Sequence, residues 1–153
     1  MKQMNKKGVT LIELVIVFVI IAIGAVLLVP NIGTWLPNFR LRSATRDVAS
    51  MLRTAQMKAV STNIPYGVAF DANSYQLYRS SGGFIPEGSL VTLPSGVQFV
   101  NNTFPQNGAL GNRPFAEFNP NSTSSPGGVS LLNIKGAQKR ITLTTATGRV
   151  KIE

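Results

Sequence analysis

The sequence Lys6-Lys7-Gly8-Val9-Thr10-Leu11-Ile12-Glu13-Leu14 opens a stretch that is almost wholly apolar as far as Val29. Glu13 is the one charged residue in that stretch, which begins directly after two lysines and a glycine. A charged side chain in a membrane-length helix is costly, at about 2.5–3.5 kcal/mol toward the bilayer centre. Glu13 therefore needs a positive partner. Since the chain offers none nearby apart from the leading lysines, we expect that partner on another molecule.

The apolar segment from Val9 to Val29 has the length of a membrane anchor. As an α-helix it would extend about 31 Å at 1.5 Å per residue, which matches the hydrocarbon core of a bilayer. A cleaved secretory signal is the alternative, but its apolar core is shorter and ends in small residues at the cleavage site. Here the glycine precedes the run, and Ala22, Gly24 and Ala25 lie inside it. The pattern predicts a transmembrane helix over residues 9–29 that is retained.

The same motif resembles the class III signal of type IV prepilins and type II secretion pseudopilins. It combines a basic leader, Gly8, a glutamate at the fifth place after that glycine, and an unbroken apolar run. The resemblance implies a leader peptide of residues 1–8, cleavage after Gly8 by the prepilin peptidase, and methylation of the new amino terminus at Val9. It also implies that Glu13 serves subunit assembly by neutralising the terminal amine of a neighbouring subunit. The family usually has Phe or Met where this chain has Val9.

Charge alone does not orient the segment, because three lysines precede it and three arginines, Arg40, Arg42 and Arg46, follow it closely. The resemblance implies a single-pass protein of the inner membrane with its carboxyl-terminal domain in the periplasm. After assembly the domain would belong to a periplasmic or extracellular filament. The implied partners are other pilins or pseudopilins, the prepilin peptidase, the inner-membrane assembly platform and membrane lipid.

Apolar residues continue at helical spacing between residues 30 and 62. The residues of this stripe are Leu41, Ala44, Val48, Met51, Leu52, Ala55 and Ala59. The spacing predicts an amphipathic helix with one buried face. Arg42, Arg46 and Arg53 fall on the opposite face, where they meet either solvent or acidic groups of adjacent subunits.

Helix-breaking residues mark the joints of this helical region. Pro30, Gly33 and Pro37 predict a kink or local melting, because proline lacks an N–H donor and its ring clashes with the preceding turn. Residues 63–65, Asn-Ile-Pro, predict the end of the helix. We therefore expect one long amino-terminal helix with a membrane-spanning half and an amphipathic half.

Residues 63–153 form short runs of β-branched and aromatic residues between turn residues, which predicts a β-rich domain. The predicted strands cover residues 66–70, 74–78, 90–93, 97–100, 115–118, 129–134, 139–144 and 149–152. Hairpins are expected at Asp71-Ala72-Asn73 and at Thr147-Gly148. A long helix packed through its apolar stripe on an antiparallel sheet is an α+β arrangement, and it is the architecture that the pilin resemblance implies.

A second and looser resemblance concerns residues 40–70 and the closing Gly148-Arg149-Val150, which are similar to the GspH/FimT branch of minor pilins and pseudopilins. Residues 148–151 resemble the Gly-Arg-x-Arg element of FimT-type pilins that bind DNA during natural transformation. Lys151 replaces the final arginine, which keeps the charge but loses the bidentate fork. With Lys139 and Arg140, these cations form a candidate DNA-binding set.

Two interpretations of this basic set stay open. Binding to phosphates by several cations would be sensitive to salt and largely blind to sequence. Aromatic residues for stacking bases are absent beside the four cations, so the pattern of a single-strand groove is incomplete. The alternative is a basic edge that faces solvent or another subunit, and we favour this alternative over a DNA partner.

Composition narrows the function further. The chain has no cysteine and no histidine, which removes disulfides, thiolate metal sites and the commonest general base. Its six carboxylates are widely spaced, so we expect no enzyme activity, no metal and no cofactor. The net charge of +9 suits anionic partners or complementary subunits. We predict a minor pilin or pseudopilin of a type II secretion pseudopilus or type IV pilus. A DNA-binding minor pilin and a lone membrane-anchored domain are the alternatives.

Overall fold

The computed structural model describes residues 9–28 and 32–153 of this chain, which has an α+β fold. Two helices, α1 (Leu11–Leu28) and α2 (Ile32–Thr62), come first. Nine strands follow: β1 (Tyr66–Phe70), β2 (Ser74–Ser80), β3 (Phe84–Thr92), β4 (Val97–Val100), β5 (Gln106–Asn107), β6 (Arg113–Phe118), β7 (Gly127–Asn133), β8 (Gln138–Thr144) and β9 (Arg149–Ile152). The chain divides into two compact units, of which the first ends at Trp35 and the second covers Leu36–Glu153.

Apart from Glu13 in its first turn, helix α1 is apolar on every side. Its large apolar side chains from Leu11 to Val26 are all exposed within the first unit. Within residues 9–28 and 32–153, no helix combines the length and the apolar character that a membrane crossing requires. The predicted leader, residues 1–8, and the last residue of the predicted membrane segment, Val29, lie outside the described residues.

Helix α2 contains two of the three predicted breakers, Gly33 and Pro37, without being interrupted at either. Pro37 lies inside the helix, so local melting does not occur at that residue, while the alternative expectation, a kink, stays a prediction. Proline removes the single bond that its N–H would donate to the carbonyl of Gly33, and packing of the later turns compensates for that loss. Pro30 lies outside the described residues. The predicted end is confirmed, since α2 stops at Thr62 and Asn63 has a φ of 55°.

The apolar stripe of α2 forms the centre of the core, as the spacing predicts. Six of its seven residues are buried, and Met51 is partly buried against them. The stripe packs in one cluster with the inner faces of two sheets. The inner faces contribute Tyr66, Val68, Phe70, Tyr75, Leu77, Ala116, Phe118, Val129, Leu131, Ile141, Leu143 and Val150, among others.

The strands form two antiparallel sheets in the order β3-β2-β1-β6-β5 and β4-β7-β8-β9. The sequence led us to expect one sheet, and the division follows the turn at Pro94-Ser95-Gly96, after which β4 pairs with β7 and not with β3. In the larger sheet, β1 is central and all five of its residues are buried. In the smaller sheet, β8 and β9 form the predicted carboxyl-terminal hairpin.

Two parts of the larger sheet were missed by the sequence analysis. Strand β3 begins at Phe84, six residues before the predicted start. The first part of this strand was missed because Pro86 and Gly88 are residue types that disfavour a strand. Pro86 is tolerated since β3 lies at the edge of its sheet, where a missing donor need not break the pairing. Strand β5 has only two residues and carries no apolar alternation from which to predict it.

Candidate functional site

The amino-terminal end of α1 holds the carboxylate on which the sequence analysis depends. Both the backbone N–H and the hydroxyl of Thr10 donate to Oε2 of Glu13, each over 2.9 Å. In return, the backbone N–H of Glu13 points at Oγ1 of Thr10 over 3.4 Å. This reciprocal arrangement is a capping box, which satisfies donors that a helix start otherwise leaves free. The sequence analysis missed it, although Thr-x-x-Glu before an apolar run is its signature.

The capping box stabilises the Glu13 carboxylate without neutralising its charge. Among the residues that the structure describes, no lysine or arginine forms an ion pair with Glu13. The expected positive partner is therefore absent from this part of the chain. Val9 lies immediately before the capping residue and is 77% exposed. Gly8, the predicted cleavage site, lies outside the described residues.

The four cations of the candidate DNA-binding set lie on β8 and β9 but not on one surface. Thr142 pairs with Lys151 and Thr144 pairs with Arg149, and strand side chains alternate between faces. Arg140, Arg149 and Lys151 therefore share the outer face of the smaller sheet. Lys139 lies on the opposite face, the one that packs against α2. The structure brings three of the four predicted residues together and separates the fourth.

The outer face of this hairpin also carries a carboxylate. Nζ of Lys151 lies 2.8 Å from Oε1 of Glu153, and both side chains are largely exposed. The hydrogen bond from Lys151 and its charge lower the pKa of Glu153, and the charge of Arg140 adds to the effect. The positive charge of this face is thus reduced within the chain. DNA binding by this set stays a prediction.

Lys139 instead belongs to a recess between α2 and the carboxyl-terminal hairpin, which we call the basic recess. It is lined by Arg42, Thr45, Arg46, Lys139 and Ile152 and has a volume of about 250 Å³. Arg42 and Arg46 are exposed, while Thr45 is buried and its hydroxyl donates to the carbonyl of Leu41 over 2.7 Å. In the described part of the chain, none of the three cations forms an ion pair. Cationic residues from two elements, α2 and β8, therefore line one recess.

Gly148, the first residue of the Gly-Arg-Val-Lys element, has a structural role of its own. Its φ is +62°, and a Cβ atom at this position would lie 2.7 Å from Nε2 of Gln56 and 2.7 Å from the carbonyl oxygen of Ser122. The same Gln56 side chain donates to the carbonyl of Thr147 over 2.9 Å. The glycine therefore allows the β8–β9 turn to contact helix α2. The glycine is explained by this close packing without any role in DNA binding.

Within residues 9–28 and 32–153, no group of three acidic side chains is placed to hold a metal ion.

Two solved structures have a similar fold. The minor pseudopilin EpsH from the type 2 secretion system of Vibrio cholerae aligns with a TM-score of 0.58 and 14% identity, over 74% of this chain and 96% of that one. The type IV minor pilin FimU of Pseudomonas aeruginosa aligns with a TM-score of 0.56 and 15% identity, over 76% of this chain and 90% of that one. At these identities the similarity shows the fold, and it confirms the expected pilin architecture.

Sequence comparisons identify the family. A type II secretion system protein H of Xanthomonas campestris pv. campestris is 27% identical over 147 residues, which cover 95% of this chain and 82% of that protein. Residues 3–29 match the prokaryotic N-terminal methylation motif. Residues 44–148 match the family of the type II transport protein GspH. The chain therefore belongs to the GspH family of type II transport proteins, minor pseudopilins that carry a prepilin-type methylation motif at their amino terminus.

Proposed function

We propose that this minor pseudopilin is cut after Gly8, methylated at Val9, and added to a type II secretion pseudopilus through its amino-terminal helix. The observation that carries the proposal is the methylation motif over residues 3–29, which contains the predicted cleavage site, Val9 and Glu13. Processing requires the prepilin peptidase, and addition to the filament requires an inner-membrane assembly platform and other pseudopilins as neighbours.

Before assembly, residues 9–29 anchor the subunit in the inner membrane, with the domain in the periplasm. This part of the proposal is supported by the surface of α1, which is apolar beyond Glu13 and whose large apolar side chains are exposed within its own unit. A helix that is apolar on every side needs lipid or other helices around it. After assembly, neighbouring helices replace lipid as the surroundings of the helix. Residues 30–62 then continue as the amphipathic part, and residues 63–153 supply the β-rich domain.

Glu13 sets the axial position of the subunit by pairing with the amine of Val9 on a neighbouring subunit. The capping box supports this role, because Thr10 holds the Glu13 carboxylate at the very start of the helix. A subunit that slipped along the filament would leave the carboxylate without its counter-ion in apolar surroundings. A polar pair of this kind is a plausible device for register.

Mass spectrometry of the protein purified from its native host tests the processing step. We expect a chain that begins at Val9 and carries one added methyl group on its amino terminus. A Gly8→Val variant is the matched control and should keep its leader. A wild-type chain that retains residues 1–8, with all three leader lysines, would overturn the proposal.

A further inference from the structure

We propose that the basic recess receives a carboxylate side chain from another subunit of the pseudopilus, so that Arg42, Arg46 and Lys139 form a second charged contact in the filament. The inference rests on the proposed function, since it needs a filament in which subunits meet. It concerns a site in the folded domain, separate from the amino-terminal motif that guides processing and the first charge pair.

The geometry of the recess suits a carboxylate. Arg42 and Arg46 are four residues apart, so their side chains lie one above the other on the same face of α2. Lys139 comes from β8 and lines the same volume of about 250 Å³. A guanidinium group presents a planar fork that matches the two oxygens of a carboxylate, and a lysine adds a point charge. Cations from two elements can therefore contact one anionic group together.

The chain leaves this charge unbalanced. Like charges four residues apart on a helix destabilise it, and a third cation from β8 adds to the repulsion. The carboxylates of the chain have other surroundings: Glu87 pairs with Lys58 and Glu153 pairs with Lys151. Glu13 accepts from Thr10, and Asp71 accepts from the next backbone N–H. Neither Asp47 nor Glu117 forms an ion pair among the described residues. Among the described residues no carboxylate is paired with the recess, so a carboxylate of another chain would find these cations available.

The size and lining of the recess favour a compact anion over a nucleic acid strand. Thr45 is buried and Ile152 supplies an apolar side, and the volume of about 250 Å³ suits one compact group better than an extended backbone. In the described part of the chain no aromatic side chain lines it, although aromatic stacking platforms are typical of single-strand binding. Arg140, Arg149 and Lys151 lie on the other face of the hairpin and cannot extend it. A protein carboxylate is the partner that fits.

A binding experiment tests the chemistry of the recess. The full-length protein in detergent micelles is titrated with hexaglutamate peptide, and separately with inorganic phosphate and with a short oligothymidylate. We expect hexaglutamate to bind and each of Arg42→Ala, Arg46→Ala and Lys139→Ala to weaken it about tenfold, which corresponds to about 1.4 kcal/mol. Arg53→Ala is the matched control, because Arg53 is exposed on the same helix outside the recess, and should leave binding unchanged.

Three outcomes of the titration would overturn the proposal. The first is no binding of hexaglutamate by the wild type, and the second is an equal loss in Arg53→Ala, which would indicate unspecific attraction. The third is tighter binding of oligothymidylate or of phosphate that depends on the same three residues, which would identify a phosphate site.

An experiment in the native host separates this inference from the proposed function. Tagged copies with Arg42→Glu and Arg46→Glu are compared with Arg53→Glu and with Glu13→Ala for incorporation into the pseudopilus. We expect at least tenfold lower incorporation for the recess variants and for Glu13→Ala, and normal incorporation for Arg53→Glu. If the recess variants incorporate normally while Glu13→Ala does not, the recess proposal fails alone. If Glu13→Ala also incorporates normally, the proposed function fails.

Discussion

Lys58 on α2 forms an ion pair with Glu87 on β3, which joins the helix to the edge strand of the larger sheet. The hydrogen bond from Lys58 holds the pKa of Glu87 below its ordinary value, and the same bond raises the pKa of Lys58. A carboxylate with a lowered pKa stabilises the fold above its ordinary pKa and loses this effect as the pH falls. A lysine with a raised pKa stabilises the fold below its ordinary pKa and loses the effect as the pH rises.

Replacing Glu87 with glutamine should therefore lower the free energy of unfolding only in the middle of the pH range. The loss should be present at pH 7 and should shrink as the pH falls from the ordinary glutamate pKa of 4.5 through the lowered pKa of Glu87 in the folded protein, where the wild-type carboxyl also becomes neutral. It should be small and weakened by salt, because the side chains of both partners are more than a third exposed. Urea unfolding of the full-length wild type and of Glu87→Gln, in detergent at pH 7 and pH 3.5, measures this difference in the free energy of unfolding. An equal loss at both values would contradict the electrostatic explanation.

Alanine at Gly148 should destabilise the fold more than alanine at another glycine of similar backbone conformation. The substitution adds left-handed strain of about 1–2 kcal/mol and a contact of 2.7 Å with the carbonyl oxygen of Ser122. Gly82 has a φ of +67° and open space around it, so Gly82→Ala carries the strain without the contact. We expect a lower urea midpoint for Gly148→Ala than for Gly82→Ala. Equal midpoints would mean that the turn moves away from α2 at no cost.

Comparing Glu13→Gln with Glu13→Ala tests whether assembly requires the negative charge of Glu13 or only its hydrogen bonds with Thr10. Glutamine keeps an oxygen that accepts from Thr10, so the capping box survives, but it removes the negative charge. We expect Glu13→Gln to lower incorporation into the pseudopilus about as strongly as Glu13→Ala, because the neighbouring amine needs a counter-ion. Incorporation of a tagged copy, measured beside membrane levels of the same variant, gives the answer. Normal incorporation of Glu13→Gln would show that capping alone is sufficient.

The outer face of the β8–β9 hairpin should retain DNA only weakly. Lys151 is already paired with Glu153, and no aromatic residue lies beside the cations in sequence. In gel shifts with the full-length protein at several salt concentrations, we expect retention to fall steeply with salt. Arg149→Ala with Lys151→Ala should change retention no more than Arg53→Ala does. Retention that persists at about physiological salt and is lost only in the double variant would favour a DNA receptor.

Local pattern was sufficient to predict most elements of this fold. The bounds of β1, β4 and β9 agree with the predicted strands, and the spacing of the α2 stripe identified the buried face. These features are local because side-chain periodicity is a property of a few consecutive residues. The division into two sheets was not predictable in this way. It depends on β4 pairing with β7, which is distant in sequence.

The candidate sites also differ in whether their residues are neighbours in sequence or are brought together only by folding. The motif around Gly8 and Glu13 is a run of consecutive residues, so the sequence alone identifies it. The basic recess could not be predicted from the sequence, because Lys139 lies far from Arg42 and Arg46 along the chain. Only the packing of the smaller sheet on α2 brings the three residues to one recess. The same alternation that places Arg149 and Lys151 together sends Lys139 to the other face.

Four alanines, Ala44, Ala49, Ala55 and Ala59, lie almost completely enclosed on the buried surface of α2 between its larger apolar side chains. Small side chains let the backbone of the helix approach both sheets closely, and interiors at native packing density have no spare volume into which a helix can roll or slide. A pull along the axis of residues 41–59 is therefore passed to the two sheets over a broad area of contact. Force applied to these turns of the helix would reach both sheets at once through the shared core.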